Sequence, residues 1–165
     1  MSTRLVNQTL HSEHCATLAL LDQLEALVAR GAGGAGKRDS LDASHLRSTA
    51  DFIDTELQRH FEFEEQSLFG VLEEAGDDGI CEHLLAEHRQ LLELGARLAG
   101  LARAAARAGT LDAAGEQELR RVALQFCAEL RGHVDKEESA LLPALEDALD
   151  ERTDARLNEE YVLTA

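Results

Sequence analysis

The chain has 165 residues, with 16 lysines and arginines, 32 aspartates and glutamates, and a formal net charge of −16 at neutral pH. This length suits a single domain that needs no disulfide to hold its core. The excess of acidic residues argues against nucleic acid or an anionic membrane surface as a partner, since both attract lysine and arginine.

Strong helix formers dominate the chain, which has only one proline and no tryptophan, so the composition predicts an all-α protein. Helix-breaking residues divide it at Gly31–Gly36, which Asp39 and Ser40 follow as caps, at Gly76–Gly79 and at Gly109. The predicted helices cover residues 4–30, 41–75, 80–108 and 111–149.

Short connections between long amphipathic helices favour an antiparallel up-down-up-down four-helix bundle. We expect residues 1–149 to form this bundle. The acidic segment 150–165 is weakly patterned and is expected to be a loop or a short docking segment, in which Tyr161 covers one end of the bundle.

The second half of the chain repeats the pattern of the first. Residues 13–24 read EHCATLALLDQL and residues 87–98 read EHRQLLELGARL. Residues 57–75 read LQRHFEFEEQSLFGVLEEA and residues 130–148 read LRGHVDKEESALLPALEDA. The repeat predicts two pseudo-symmetric helical hairpins.

The repeat places histidines and glutamates at matching positions, with each glutamate four residues after a histidine on the same helix face. At about 100° per residue, these side chains share a stripe with apolar residues and point inward at nearly one level. The six residues are His14, His60, Glu64, His88, His133 and Glu137.

Six polar groups in an apolar layer are costly to bury without partners. A metal-free network of histidine–glutamate hydrogen bonds is one interpretation, and in that case the bundle serves only for protein interaction. The other interpretation is a metal site, which the symmetric convergence of the six residues favours. Nitrogen and oxygen donors at six positions suit two divalent ions and lack the thiolates of structural zinc.

Other polar residues are candidates for supporting roles. Glu56 and Glu129 lie four residues before the histidines of the second and fourth helices, so they are expected to orient an imidazole or to bind metal directly. His11 is a possible fifth nitrogen donor. His83 falls on the outer side of its helix, and we expect it to take no part.

The remaining motifs carry less chemistry. Glu65 and Glu138 lie off the inner stripe and are expected to be solvated or to support the ligands from behind. Cys81 and Cys127 are expected to be small core residues, and Cys15 is expected to be a packing residue. The three cysteines have no CxxC spacing, residues 1–14 carry no secretory signal, and no apolar run approaches the ~20 residues that span a bilayer. These observations predict a cytoplasmic protein that does not enter a membrane.

At these residues the sequence resembles the hemerythrin-like family of HHE cation-binding domains, over about residues 5–148. The likeness rests on the dipeptides Glu13-His14 and Glu87-His88 and on two H-x3-EE motifs. It implies a four-helix bundle that holds two iron ions with an oxo or hydroxo bridge, for which manganese or zinc are possible substitutes. The implied terminal ligands are His14, His60, His88 and His133, with Glu64 and Glu137 as bridges.

The chain departs from the oxygen-carrying members of this family, which have H-x3-H on the third helix and H-x4-D on the last. Here Leu84 stands four residues before His88, and the last helix reads H-x3-E. The resemblance therefore implies binding of, or reaction with, O2, NO or H2O2 in sensing, scavenging or an iron or redox stress response. The alternative is a non-catalytic protein that binds or stores iron or another divalent metal.

An access path would distinguish these two functions, because a reactive centre has to admit its small ligand. We expect any such path near the small residues Thr17, Gly95 and Ser67.

Overall fold

The computed structural model describes residues 4–31, 40–77 and 79–163, and every regular element within these ranges is helical. The prediction of an all-α bundle is confirmed. Helix α1 spans Leu5–Gly31, α2 spans residues 40–75, α3 spans Cys81–Ala108, α4 spans residues 113–148 and α5 spans Glu151–Leu163. The predicted ends of the four long helices differ from these by no more than two residues, which is within the usual scatter at helix termini.

The turns between the helices follow from local sequence. Gly76 and Gly109 have φ values of 77° and 70° and end α2 and α3 in the left-handed conformation that glycine adopts readily. The Asp112 carboxylate accepts a hydrogen bond from the Gly115 N–H at 2.8 Å and caps α4. The glycine-rich segment after Gly31, with its expected cap Asp39, and Asp78 of the second turn lie outside the described residues.

Two of the long helices contain π turns, which the sequence did not predict. In α2 they cover Ile53–Leu57 and Glu64–Leu68, and in α4 one covers Glu137–Leu141. The turns that begin at Glu64 and Glu137 occupy equivalent positions in the two halves of the chain. A π turn widens the helix and changes the direction of the side chains that follow, and such turns are frequent at functional sites.

Helices α1 to α4 pack in a ring in chain order, and α4 closes the ring against α1. Two apolar clusters fill the interior. One contains Leu24, Ile53 and Phe126, and the other contains Leu10 and Leu72. The predicted histidines and glutamates lie between the two clusters, so the bundle holds them at mid-height.

Residues 151–163 of the C-terminal segment form α5, which packs on α1. Asp154 is buried and accepts hydrogen bonds from the N–H groups of Leu5 (2.8 Å) and Val6 (3.0 Å), at the start of α1. Leu157 and Tyr161 are buried on the same face of α5. Among the described residues, no helix has the length and apolar character needed to cross a membrane.

Candidate metal centre

The bundle brings together all six residues predicted for its interior, which we call the polar layer. None of the six is more than 8% exposed. The layer consists of His14 on α1, His60 and Glu64 on α2, His88 on α3, and His133 and Glu137 on α4.

The polar layer divides into two groups of potential metal-binding residues that share both glutamates. The first group adds His14 and His60 to Glu64 and Glu137, and the second adds His88 and His133 to the same pair. Within each group, one donor atom from each residue lies within 4.8 Å of the others. This is the arrangement expected for two adjacent ions with bridging carboxylates.

Each glutamate directs one oxygen toward each group. Glu137 Oε2 lies 3.1 Å from His14 Nε2, and Glu137 Oε1 lies 2.6 Å from His133 Nε2. Glu64 Oε1 lies 3.4 Å from His60 Nε2, and Glu64 Oε2 lies 3.3 Å from His88 Nε2. The Nε2 atoms of all four histidines therefore face the space between the two carboxylates.

The glutamates of the EH dipeptides hold the histidines of the adjacent helices. His60 Nδ1 lies 2.9 Å from Glu13 Oε2, and His133 Nδ1 lies 2.9 Å from Glu87 Oε2. An imidazole that donates its Nδ1–H to a carboxylate has its ring orientation set and keeps the Nε2 lone pair for a metal ion.

The second glutamates of the H-x3-EE motifs do the same for the other two histidines. His14 Nδ1 lies 2.5 Å from Glu138 Oε1, and His88 Nδ1 lies 2.7 Å from Glu65 Oε1. All four imidazoles thus have a carboxylate partner behind the ring and present Nε2 to the interior.

The inner atoms of the polar layer lack the partners that burial requires. The Nε2 atoms of His14, His88 and His133 and all four carboxylate oxygens of Glu64 and Glu137 are buried without a hydrogen-bond partner in the described part of the chain. Buried polar atoms of native proteins are nearly always satisfied. Divalent cations fit this donor set, since each would satisfy nitrogen and oxygen lone pairs at once.

The pKa values of the histidines and glutamates in the polar layer depend on one another. Burial opposes ionisation of Glu137, yet the four imidazoles close to its carboxylate hold its pKa well below the ordinary value of 4.5. Burial by itself would lower the pKa of His88, but Glu137 and Glu64 raise it to about 9. Without a metal ion, protons therefore supply the positive charge that the buried carboxylates need.

Glu13 and Glu87 also have partners farther from the layer, and these partners differ between the two halves. Glu13 accepts hydrogen bonds from Arg59 Nη2 at 2.8 Å and from the Tyr161 hydroxyl at 2.6 Å. The Tyr161 ring stacks on Phe63 with centroids 4.1 Å apart. Helix α5 therefore supports the His60 side of the layer.

On the other side, Glu87 pairs with Lys136 and with His83 Nε2, which lies 3.0 Å from Glu87 Oε1. His83 is exposed and outside the polar layer, as expected from its position on the outer face of α3. Burial opposes ionisation of Glu87, but its hydrogen bonds with Lys136 and His133 lower its pKa.

Three residues expected near the centre lie at the surface. Glu56 and Glu129 are exposed, and Glu129 accepts a hydrogen bond from Gln125 at 2.9 Å. In the part of the chain that the structure describes, no hydrogen bond joins Glu56 or Glu129 to an imidazole, and other glutamates orient the rings. His11 is exposed, and its Nδ1 lies 3.0 Å from Glu138 Oε2, outside the layer.

Two of the three cysteines occupy the core as expected. Cys81 and Cys127 are buried, and burial raises the pKa of Cys127 to about 12. Cys15 is exposed, with its Sγ 3.7 Å from His11 Nε2. Cys15 was expected to be a packing residue, but its position on α1 turns it toward solvent.

A cavity of about 200 Å³ reaches the polar layer from one side; we call it the access cavity. It is bounded by α1, α2 and α4, and it meets solvent between α1 and α2 where Ala16 and Glu56 are exposed. Its lining residues are Glu13, His14, Ala16, Thr17, Leu20, Phe52, Glu56, Leu57, His60, Phe61, Leu130, His133, Val134 and Glu137.

Of the three small residues expected near a path, only Thr17 lines the access cavity. A Cβ on Gly95 would lie 2.9 Å from Ile53 Cγ2, so this glycine permits close helix packing. The His88 side of the layer is covered by the Phe61 ring, which stacks on the imidazole at 3.8 Å between centroids.

The model of the Hemerythrin HHE cation binding domain matches residues 5–145, which include the whole polar layer and all four glutamates behind it. No curated protein and no solved structure matches the chain significantly. The match covers most of the chain. The helical fold of the chain and its buried histidine–glutamate groups agree with a metal-binding domain of this kind. The chain belongs to the hemerythrin HHE cation-binding domain family.

Proposed function

We propose that the chain holds two iron ions in the polar layer. His14 and His60 would bind one ion, His88 and His133 the other, and Glu64 and Glu137 would bridge the pair. The observation that carries this proposal is the sharing of both buried glutamates between two histidine pairs. A donor set of imidazoles and carboxylates without thiolates suits iron, and manganese or zinc are substitutes that the same donors accept.

The residues behind the layer prepare the histidines for this task. Glu13, Glu65, Glu87 and Glu138 each accept from an Nδ1 atom, so each ring is held in the tautomer and orientation that metal binding needs. An iron pair held there would supply redox chemistry and a place for a small ligand. The protein supplies the fixed geometry and the apolar surroundings.

We further propose that the iron pair binds or reacts with a small ligand such as O2, NO or H2O2, in sensing, scavenging or an iron or redox stress response. The access cavity favours this function over storage of metal in a closed site. It reaches His14, His60 and Glu137 directly, so a small ligand would approach the layer from that side.

Anaerobic loading with ferrous iron, followed by separate additions of air, nitric oxide and peroxide, tests the proposal. We expect ~2 irons per chain, as in other bundle sites of this type, and a change in the absorption spectrum with at least one of the three ligands. Metal-free protein treated in the same way is the control. Bound iron that responds to none of the three would contradict a reactive centre and leave metal storage.

A further inference from the structure

The access cavity is larger than a diatomic ligand or peroxide requires. Its volume is about 200 Å³, whereas a dry cavity of ~150 Å³ is large enough to take up benzene. Buried apolar side chains form part of its wall, among them Leu57, Phe61, Leu130 and Val134, and they adjoin the polar side chains of the layer. The cavity therefore has room and a suitable surface for an organic molecule.

The charge around the access cavity selects against anions. Among the residues that the structure describes, no lysine or arginine lines it, and the exposed Glu56 lies at its rim. The histidines in its wall have their Nδ1 atoms bonded to carboxylates, so little hydrogen-bonding capacity is left for an anion outside the polar layer itself.

The other half of the chain closes the equivalent space. Position 91 corresponds to Thr17 in the repeat and carries a leucine that is only 2% exposed. The depression beside Leu91, between α3 and α4, is lined by none of the four histidines of the polar layer. One half of a duplicated bundle thus fills this position, while the half with Thr17 leaves it open to the layer.

We propose that the access cavity binds a small, uncharged, apolar organic molecule of about the size of benzene, one end of which meets the His14–His60 side of the polar layer. This deepens the proposed function and rests on it, because the cavity would determine which molecules reach the iron pair.

Benzene is the probe, added to the full-length chain with and without iron and followed through the methyl NMR signals of Leu57, Leu130 and Val134. We expect saturable shifts at these methyls and a higher Tm, whereas benzoate at equal concentration gives neither. Absence of benzene-dependent shifts in the wild-type chain, or equal binding of benzoate, would overturn the proposal.

Two substitutions at one position provide matched variants. Thr17→Leu copies the residue of the other half and fills the cavity, so benzene affinity should fall by about tenfold or more, equivalent to ~1.4 kcal/mol. Thr17→Val keeps the shape of threonine and should retain the affinity within about twofold. Equal affinity in the leucine variant and the wild type would overturn the assignment of the site.

A second variant covers the case in which Thr17→Leu fails to fold. Val134→Phe introduces the ring that the equivalent position, Phe61, already carries, and it should also block benzene. Iron content is measured in every variant. Iron binding without benzene binding contradicts the cavity proposal alone, and Thr17-dependent benzene binding without iron contradicts the proposed function alone.

Discussion

Each histidine of the polar layer uses its two ring nitrogens differently. Its Nδ1 atom is bonded to a carboxylate behind the ring, and its Nε2 atom faces the interior. Replacing His60 by alanine removes an Nε2 donor and leaves Glu13 without the imidazole it holds. We expect His60→Ala to lose about half or more of the bound iron and the rise in Tm that iron produces, since metal binding is coupled to folding. Elemental analysis and calorimetry with and without iron measure both effects.

His83→Ala is the control for this substitution. His83 is exposed, and its ion pair with Glu87 lies at the surface, where such pairs contribute little. Iron content and Tm should match the wild type. Unchanged iron content in His60→Ala, or a loss in His83→Ala, would show that the layer is not where metal binds.

The carboxylates behind the rings give a second prediction. Glu13→Gln removes the charged acceptor of His60 Nδ1, and iron affinity should fall by about 10–100-fold, the usual cost of losing such a partner. Glu129→Gln alters an exposed side chain that contacts Gln125, and affinity should stay unchanged. A competition titration with a chelator measures both variants, and equal affinities would refute the role of Glu13.

The pKa shifts predict how stability depends on pH in the metal-free protein. His88 has a folded pKa of about 9 against an ordinary 6.5, so its contribution is complete below pH 6.5 and is lost as pH rises through 9. Glu137 has a lowered pKa, so its contribution is present above 4.5 and is lost as pH falls toward its folded pKa. The Tm should therefore decline between pH 6.5 and 9.

Bound zinc would replace these protons, so the zinc-loaded chain should show a smaller decline over the same range and should release protons when metal is added at pH 7. Thermal melts at several pH values, with and without zinc, provide the measurement. Parallel pH profiles for the two forms would contradict the exchange of protons for metal.

The sequence was sufficient to predict which six side chains share the interior, because the repeat and the helical period both constrain them. Of the supporting residues it offered, Glu65 and Glu138 do hold an imidazole from behind, whereas Glu56 and Glu129 do not. Glu56 and Glu129 were expected beside His60 and His133 because a single-helix projection considers only residues on the same helix. The actual partners of the Nδ1 atoms come from neighbouring helices, and the repeated EH dipeptide was the signal that could have identified Glu13.

At the level of the helices, the two π turns that begin at Glu64 and Glu137 distinguish this bundle from one built of regular helices. Phe69 N–H bonds to Glu64 O, and Leu142 N–H bonds to Glu137 O. Pro143 stands two residues after the end of the second turn, near the start of the next helical segment, where a missing N–H disturbs the helix less than in a regular interior. No periodicity in the sequence revealed these turns, because a shift of one residue within a long amphipathic pattern leaves most core positions apolar.

Helix α5 contributes to stability through its contact with the start of α1. Asp154→Ala would leave the N–H groups of Leu5 and Val6 without their acceptor, and should lower the free energy of unfolding by about 1–3 kcal/mol. Glu159→Ala removes an exposed carboxylate from the same helix, with an expected change within about 0.5 kcal/mol. Urea denaturation measures both, and equal stabilities would contradict this account of how α5 docks.

The order in α5 was not evident from the sequence. Its acidic residues obscure the short apolar face made by Leu157 and Tyr161, and its partner on α1 is distant in the chain. Tyr161 was expected to cover one end of the bundle; in the structure its hydroxyl donates a hydrogen bond to Glu13, the glutamate that holds His60.

Over the whole molecule, the two halves contribute the same histidines and glutamates to the polar layer but surround them differently. The half with Thr17 leaves the access cavity open, and the other half closes its equivalent with Leu91. Arg59 and Tyr161 support Glu13, whereas Lys136 and His83 support Glu87. The two groups of the polar layer therefore have unequal surroundings, and the access cavity lies on the side of His14 and His60.

Diffraction from crystals grown anaerobically with ferrous iron, recorded on both sides of the iron absorption edge, tests the central claim most directly. The account predicts two anomalous peaks in the polar layer, one beside the Nε2 atoms of His14 and His60 and one beside those of His88 and His133, with Glu64 and Glu137 between them. A layer that contains no iron, or iron bound only at surface carboxylates, would contradict it.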